Sequence, residues 1–311
     1  MNIMFMGTPE FAIPSLEALY TAGHNVCCVI TQPDKPKGRG HKMAHPPVYE
    51  CAQSHGTTIY QPETLKKADF EEILNRENPD LIAVVAYGKI LPEYVLNYPK
   101  YGCINVHGSL LPKYRGAAPM QWCIINGETK TGITTMYMEK GLDTGDMLMK
   151  AEVDVLSDDT YETIHDKLNV LGADLLVKTI EQLEAGTAVR EKQDDALSCY
   201  SPMIDKETAR IDWTKNAYDI NNLIRGLNPF PRAYSYYCGK ILKIEKALPE
   251  NKICDGECGM VVCADSKSFT VKCGENTVLS VLRLQMEGKK SMDTADYFLG
   301  NKIEPGTMLG E

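Results

Sequence analysis

Asn105 and His107 stand two residues apart at the end of the apolar run "GCINVH", just before "GSLLPKYRGAAP". Side chains alternate along a strand, so the two project from one face, about 7 Å apart. An amide offers N–H donors to a developing oxyanion, and an imidazole either donates to that charge or moves a proton near neutral pH. Together they suit addition to a carbonyl. A histidine capped by a backbone carbonyl, beside an asparagine that ends the strand, is the structural alternative. Neither Ser109 nor any cysteine carries the sequence signs of an activated triad, which favours direct addition over a covalent route.

A third group is needed to hold the imidazole, and a carboxylate nearby would stabilise its charged form. The stretch "MEKGLDTGDML" supplies Asp143 between glycines, 36 residues beyond His107, with Asp146 close behind. Only the fold can bring these residues together. A turn aspartate bonding its own backbone would look the same in sequence, and this applies to both.

The elements that must position them read as alternating β and α. "NIMFM" is a buried strand running into Gly7, "TPEFAIPSLEALYTAG" has helical spacing with a stop at Gly23, and "NVCCVI" is a second strand. The turn "GTPEFA" lacks the G-x-G-x-x-G glycines through which a dinucleotide pyrophosphate approaches, which argues against nicotinamide or flavin. Helices follow at about 46–54 and 70–76, then the strand "DLIAVVA" and a helix after Pro92. "GCINV" is a central strand, and "TGITTMYM" and "GDMLMKAEVDV" are two more. A capping box from Asp159 to Glu162 opens a long helix ending at Gly186. The fold class is α/β with a mostly parallel sheet covered on both faces. In such sheets ligands bind at the carboxyl ends of strands, which is where Asn105 and His107 lie.

Composition changes after that helix. Residues 190–205 are polar and poorly periodic and read as a linker between a domain at 1–189 and a second at 206–311. The second holds a short helix and five or six short strands with glycine turns, the pattern of a small β-barrel.

The chain has 311 residues, 43% of them apolar and 24% charged, which excludes disorder as the dominant state. Its start shows neither a basic leader nor a run of the roughly 20 apolar residues a membrane span needs, so the expectation is a cytoplasmic protein without membrane association. Eleven cysteines, an odd number and widely scattered, suit reduced thiols rather than a disulfide framework. Cys254, Cys258, Cys263 and Cys273 lack paired C-x2-C spacing, and no metal is expected. The net charge of −9 argues against a generic polyanion binder, yet residues 206–311 carry 15 Lys and Arg against 14 Asp and Glu. A nucleic-acid contact must use local patches. The obvious one is "PDKPKGRGHKMAH", with Lys35, Lys37, Arg39 and Lys42, for which a solvated basic loop is the plain alternative.

The segments "MGTPEFA", "TQPDKPKGRG", "AYGKILP", "INVHGSLLPKYRGAAP", "ETKTGITTMYMEKGLDTGDML", "ARIDW" and "NPFPRAY" cover nearly the whole chain. In this order and spacing the sequence resembles the methionyl-tRNA formyltransferases, within the wider folate-dependent formyltransferases. The resemblance implies a Rossmann-like catalytic domain, a linker and an OB-like barrel that binds tRNA. It implies formyl transfer from 10-formyltetrahydrofolate to the α-amino group of methionyl initiator tRNA; a monomer is expected. By motif match it implies a catalytic trio of Asn105, His107 and Asp143. It further implies folate contacts from Ser109, Leu110, Leu111 and Pro112, an apolar folate wall from Ile90 and Leu91, and a tRNA contact at Arg39 within the basic loop. A formyltransferase acting on a small amine, such as an amino sugar, shares that core but needs neither the basic loop nor the barrel.

Overall fold

The computed structural model describes residues 1–37 and 42–310. The first stretch of chain contains β1 (Asn2–Gly7), α1 (Ile13–Thr21), β2 (Asn25–Ile30), β3 (Lys35–Lys37), β4 (Lys42–Ala44), α2 (Pro47–Ser54) and β5 (Ile59–Tyr60). There follow α3 (Lys67–Glu77), β6 (Leu81–Val85), α4 (Glu93–Leu96), β7 (Cys103–His107), β8 (Arg115–Gly116), α5 (Pro119–Ile125), β9 (Lys130–Tyr137), β10 (Met147–Asp154) and α6 (Tyr161–Ala185). The remainder holds β11 (Tyr200–Ser201), α7 (Ala217–Gly226), β12 (Tyr234–Tyr237), β13 (Lys240–Asn251), β14 (Val261–Ala264), β15 (Phe269–Lys272), β16 (Thr277–Met286), β17 (Met292–Asp293) and α8 (Thr294–Phe298).

Two compact units result. The first joins residues 1–116, 130–153 and 165–201; the second joins 117–129, 154–164 and 202–311. This differs from a simple cut at residue 190. The expected linker belongs mostly to the first unit, and two short segments from the middle of the chain belong to the second.

The first unit is built on a seven-stranded sheet in the order β10-β9-β7-β6-β1-β2-β5. β1 pairs in parallel with β2 and β6, β2 with β5, and β6 with β7, while β7 and β9 are antiparallel. The chain builds outward from β1 on one side, then returns to build on the other, so the strand order reverses beside β1 and opens a crevice at the carboxyl ends. The central strands are apolar because both faces are covered: Ile3, Met4, Phe5 and Met6 are fully buried, as are Leu81, Ile82 and Ala83. Met4 and Met6 join a core with Ile30, Phe70, Leu74, Ile82 and Val95. On β7, Val106 faces α6, since a side chain added at Gly172 would come within 3.0 Å of it. Strand alternation therefore turns Asn105 and His107 to the opposite face.

Helix α6 starts one residue away from the expected capping box. Thr160 and Thr163 cap each other, each hydroxyl accepting the other's backbone N–H at 3.4 and 2.9 Å. Asp159 instead accepts from Leu156 N and from the Thr163 hydroxyl. Gly186 does end the helix, at φ +68°.

The second unit has an antiparallel sheet in the order β12-β13-β16-β15-β14, with β17 on β16. Among the described residues the end strands β12 and β14 do not pair, and the sheet forms a half-barrel. Its core holds Trp213, Ile220, Ile224, Leu242, Phe269, Val271 and Val281. Trp213 satisfies its indole N–H on Ser235 Oγ at 2.9 Å. All eleven cysteines of the chain are free thiols.

Candidate active site

His107 ends β7 and is 5% exposed. Its Nε2 lies 3.0 Å from the carbonyl oxygen of Tyr114. A carbonyl only accepts, so Nε2 carries a hydrogen and donates it. That leaves Nδ1 as the nitrogen turned toward Asp143, whose Oδ2 is 3.7 Å away. This distance is too long for a hydrogen bond. Asp143 therefore supplies charge beside the ring, while its expected part in orienting the imidazole falls to the Tyr114 carbonyl. Asn105 is half-buried on the same face of β7. Among the described residues its amide has no hydrogen-bond partner, which leaves both N–H donors available.

The carboxylate is held by a backbone N–H. Asp143 Oδ2 accepts the Gly116 N–H at 2.8 Å. Asp143 itself sits at φ +53° and Tyr114 at φ +61°, a region that costs non-glycine residues of order 1 kcal/mol or more each. The neighbouring Gly145 has no room for a side chain, because a Cβ would fall 1.9 Å from Tyr137 O.

What fixes these backbones is the segment read as a linker. Gln193, 6% exposed, donates from Nε2 to both Asp143 O and Gly145 O at 2.8 Å, while its Oε1 accepts from Arg115 Nε at 3.0 Å. Arg115 pairs with Asp195 at 2.8 Å. Tyr114 N donates to Cys199 Sγ, and the Ser201 hydroxyl bonds Tyr114 O and Arg115 O. β11 pairs in parallel with β8, joining Tyr200 to Arg115 and Ser201 to Gly116. One buried amide thus ties the Asp143 loop to the arm that carries the Tyr114 carbonyl. Sequence reasoning passed over Gln193 because it sits in a polar stretch without periodicity. The only signal was that stretch's unusual length between two ordered regions.

The "SLLP" segment is likewise built from within. Ser109 is fully buried and donates to Lys113 O at 2.7 Å, Leu111 is 2% exposed and packs on Met136 and Met147, and the Leu111–Pro112 bond is cis. Thr134, paired opposite His107 on β9, donates to Ser109 O at 2.7 Å and accepts from Leu111 N at 3.1 Å. The side chains of Ser109 and Leu111 are thus taken up inside the protein, and only Leu110 and Pro112 are partly exposed. Ile90 and Leu91 do not form a common wall. Leu91 is 4% exposed in the core with Met4 and Phe70, whereas Ile90 is 85% exposed and borders a surface cavity of about 450 Å³ with Leu65, Lys66, Lys67, Pro92 and Tyr94. A second cavity of about 450 Å³ is lined by Tyr60, Gln61, Pro62, Glu63, Thr64, Asp69 and Ile73. Neither contains Asn105, His107 or Asp143.

The basic loop forms a hairpin, with Lys35 opposite Ala44 and Lys37 opposite Lys42 in β3 and β4. Lys35 is exposed and its ammonium donates to Gln32 Oε1 at 2.8 Å. Arg39 lies outside the described residues. In the second unit, Arg225 is half-buried and binds the carbonyls of Leu156 and Asp159 and the Asn222 side chain. Its guanidinium braces a loop instead of facing a ligand.

The formyl transferase model matches residues 1–180, and the model of the formyl transferase C-terminal domain matches residues 203–302. The methionyl-tRNA formyltransferase of Clostridium novyi is 52% identical over 99% of this chain and 100% of its own, and that of Geotalea uraniireducens is 49% identical over 100% and 98%. The chain belongs to the methionyl-tRNA formyltransferase family. A solved methionyl-tRNA formyltransferase from Clostridium thermocellum superposes at TM-score 0.54 with 21% identity, covering 80% of this chain and 93% of that one. A sugar 3N-formyl transferase, solved with dTDP and 5-N-formyl-THF, reaches TM-score 0.69 at 18% identity over 93% and 99%. At such identities the likeness to these two structures shows the fold alone.

Proposed function

We propose that this enzyme transfers the formyl group of 10-formyltetrahydrofolate to the α-amino group of methionyl initiator tRNA. The observation that carries the reading is identity near one half, end to end, with methionyl-tRNA formyltransferases, in a chain whose β7 carries the amide and imidazole beside a carboxylate.

The neutral amine attacks the formyl carbon, its lone pair making the new C–N bond while the carbonyl electrons move to oxygen. An α-amino pKa near ~7.7–8.0, lowered by the adjacent ester, leaves a useful neutral fraction at pH 7. Asn105 donates to the resulting oxyanion through its free amide. His107 donates from Nδ1, since Nε2 is committed to Tyr114 O. Protonating Nδ1 places a positive ring beside the Asp143 carboxylate, and the open 3.7 Å between them leaves Nδ1 free for a reacting oxygen. The oxyanion then collapses, the C–N bond to the folate breaks, and a proton passes from the new ammonium to the departing nitrogen. Asp143 accepts and relays that proton, directly or through one water. Leu110, Pro112 and Ile90 supply apolar contact to the folate, with Ser109 and Leu111 shaping the turn from inside. Lys35, Lys37, Arg39 and Lys42 bind the tRNA backbone. The enzyme works as a monomer in the cytoplasm, and no metal takes part in the transfer itself.

The deciding experiment incubates the protein with 10-formyltetrahydrofolate and methionine-charged initiator tRNA, alongside charged elongator tRNA and free amino sugars. The expected product is N-formylmethionyl initiator tRNA; formylation of an amino sugar instead would overturn the reading.

A further inference from the structure

Away from the reaction centre, α1 and α2 bring together three side chains that the mechanism does not use. Cys51 and His55 lie four residues apart, one helical turn, at the end of α2, and Glu17 faces them from α1. Cys51 Sγ is 3.1 Å from Glu17 Oε1, and His55 Nε2 is 3.0 Å from Oε2. One sulfur, one nitrogen and one oxygen all lie within 4.8 Å of one another.

We infer that Glu17, Cys51 and His55 form a binding site for a divalent transition metal of the zinc class. A thiolate, an imidazole and a carboxylate are the donor set that such ions select over calcium or magnesium. With bonds of about 2.0–2.3 Å, a tetrahedral ion spaces its ligand atoms roughly 3.4–3.6 Å apart. Glu17 Oε1 lies 3.1 Å from both Cys51 Sγ and His55 Nε2, and these two separations need to open by only about half an ångström. The imidazole is already held in place: the Tyr20 ring stacks on His55 at 4.0 Å and 19°, and the Tyr20 hydroxyl is fixed by Thr57 Oγ1 at 2.6 Å. Such support around a ligand is what orients it for a metal. Access is open, because the Glu17 and His55 side chains are 46% and 36% exposed while Cys51 is 8% exposed beneath them. The fourth position faces solvent and takes water.

The alternative is a hydrogen-bonded staple between two helices. A thiol is a weak donor for that purpose. On metal binding the Cys51 S–H proton leaves to solvent, a sulfur–metal bond replaces it, and the His55 ring hydrogen moves to Nδ1 so that Nε2 can ligate. Glu17 exchanges two accepted hydrogen bonds for one metal–oxygen bond. The ion then clamps α1 to α2.

The test is a Co²⁺ titration of the full-length, reduced, metal-stripped protein. The expected result is a near-ultraviolet thiolate-to-cobalt band together with visible bands of tetrahedral cobalt, both lost on adding Zn²⁺. Cys51→Ser should abolish the near-ultraviolet band, and His55→Gln should weaken binding at least tenfold. His55→Gln changes an exposed ring and serves if Cys51→Ser misfolds. Zn²⁺ should raise the melting temperature of the parent protein but not of His55→Gln. Absence of the cobalt spectrum, or an unchanged spectrum in both variants, would overturn the assignment; the second outcome would move the signal to other thiols such as Cys27 and Cys28.

Discussion

The candidate active site and the half-barrel core hold their residues by opposite means. Around His107 nearly every constraint is a directed polar contact: a ring nitrogen on Tyr114 O, a carboxylate on Gly116 N, and one buried amide on two carbonyls. In the half-barrel, Phe269, Val271, Leu242 and Ile244 are fully buried and held by apolar packing. Packing fills volume and is forgiving of small shifts in direction, whereas hydrogen bonds fix direction. Stability and catalytic geometry should therefore fail separately.

The largest effect tests the packed side. Phe269→Ala should cost about 3–5 kcal/mol of stability, read by denaturant unfolding, with formyl transfer per folded molecule nearly unchanged. Next, His107→Ala or Asn105→Ala should lower kcat about 10²–10³-fold, as expected for loss of an oxyanion donor, while melting temperature and tRNA binding stay near those of the parent protein. A parallel loss of tRNA binding would sink the assigned roles.

A smaller effect sharpens the contrast. Gln193→Ala removes no group from the reacting atoms, yet should lower kcat about ten- to a hundredfold by releasing the Asp143 loop. KM for the tRNA should change little and stability should fall by only about 1 kcal/mol. Gln193→Glu keeps the acceptor for Arg115 but sets a carboxylate against two carbonyls, and should rescue nothing. The smallest effect lies at the hairpin. Lys35→Ala should weaken tRNA binding a few-fold and reduce its salt dependence by about one ion, leaving donor hydrolysis untouched.

What was legible in the sequence follows the same division. Strand alternation and an apolar run ending in polar residues placed Asn105 and His107 correctly, because both signals are local. The sheet, the long helix and the strands of the second unit were legible for the same reason. Gln193 was not, since its bonds span about 50 residues and leave no periodic trace. Ile90 and Leu91 were paired as one wall, but adjacent residues outside a helix face different ways, and one is core while the other is surface. The helix cap was off by a single residue because Asp159 and Thr160 are both good capping types, and only geometry decides between them. The small barrel of the second unit was legible as a run of short strands, although a count of strands does not say how far the sheet curls round on itself.

The short parallel pairing of β8 with β11 also sets an order of events during synthesis. Residues 115–116 wait for partners more than eighty positions later in the chain. On a ribosome, a growing chain that has emerged only as far as residue 189 already contains the amide, the imidazole and the carboxylate. It still lacks Gln193, Cys199 and Ser201, and with them the bonds that set the geometry of those groups. Under the proposed mechanism, the geometry for formyl transfer thus arrives with the last dozen residues of the first unit, as a late long-range closure rather than an early local one.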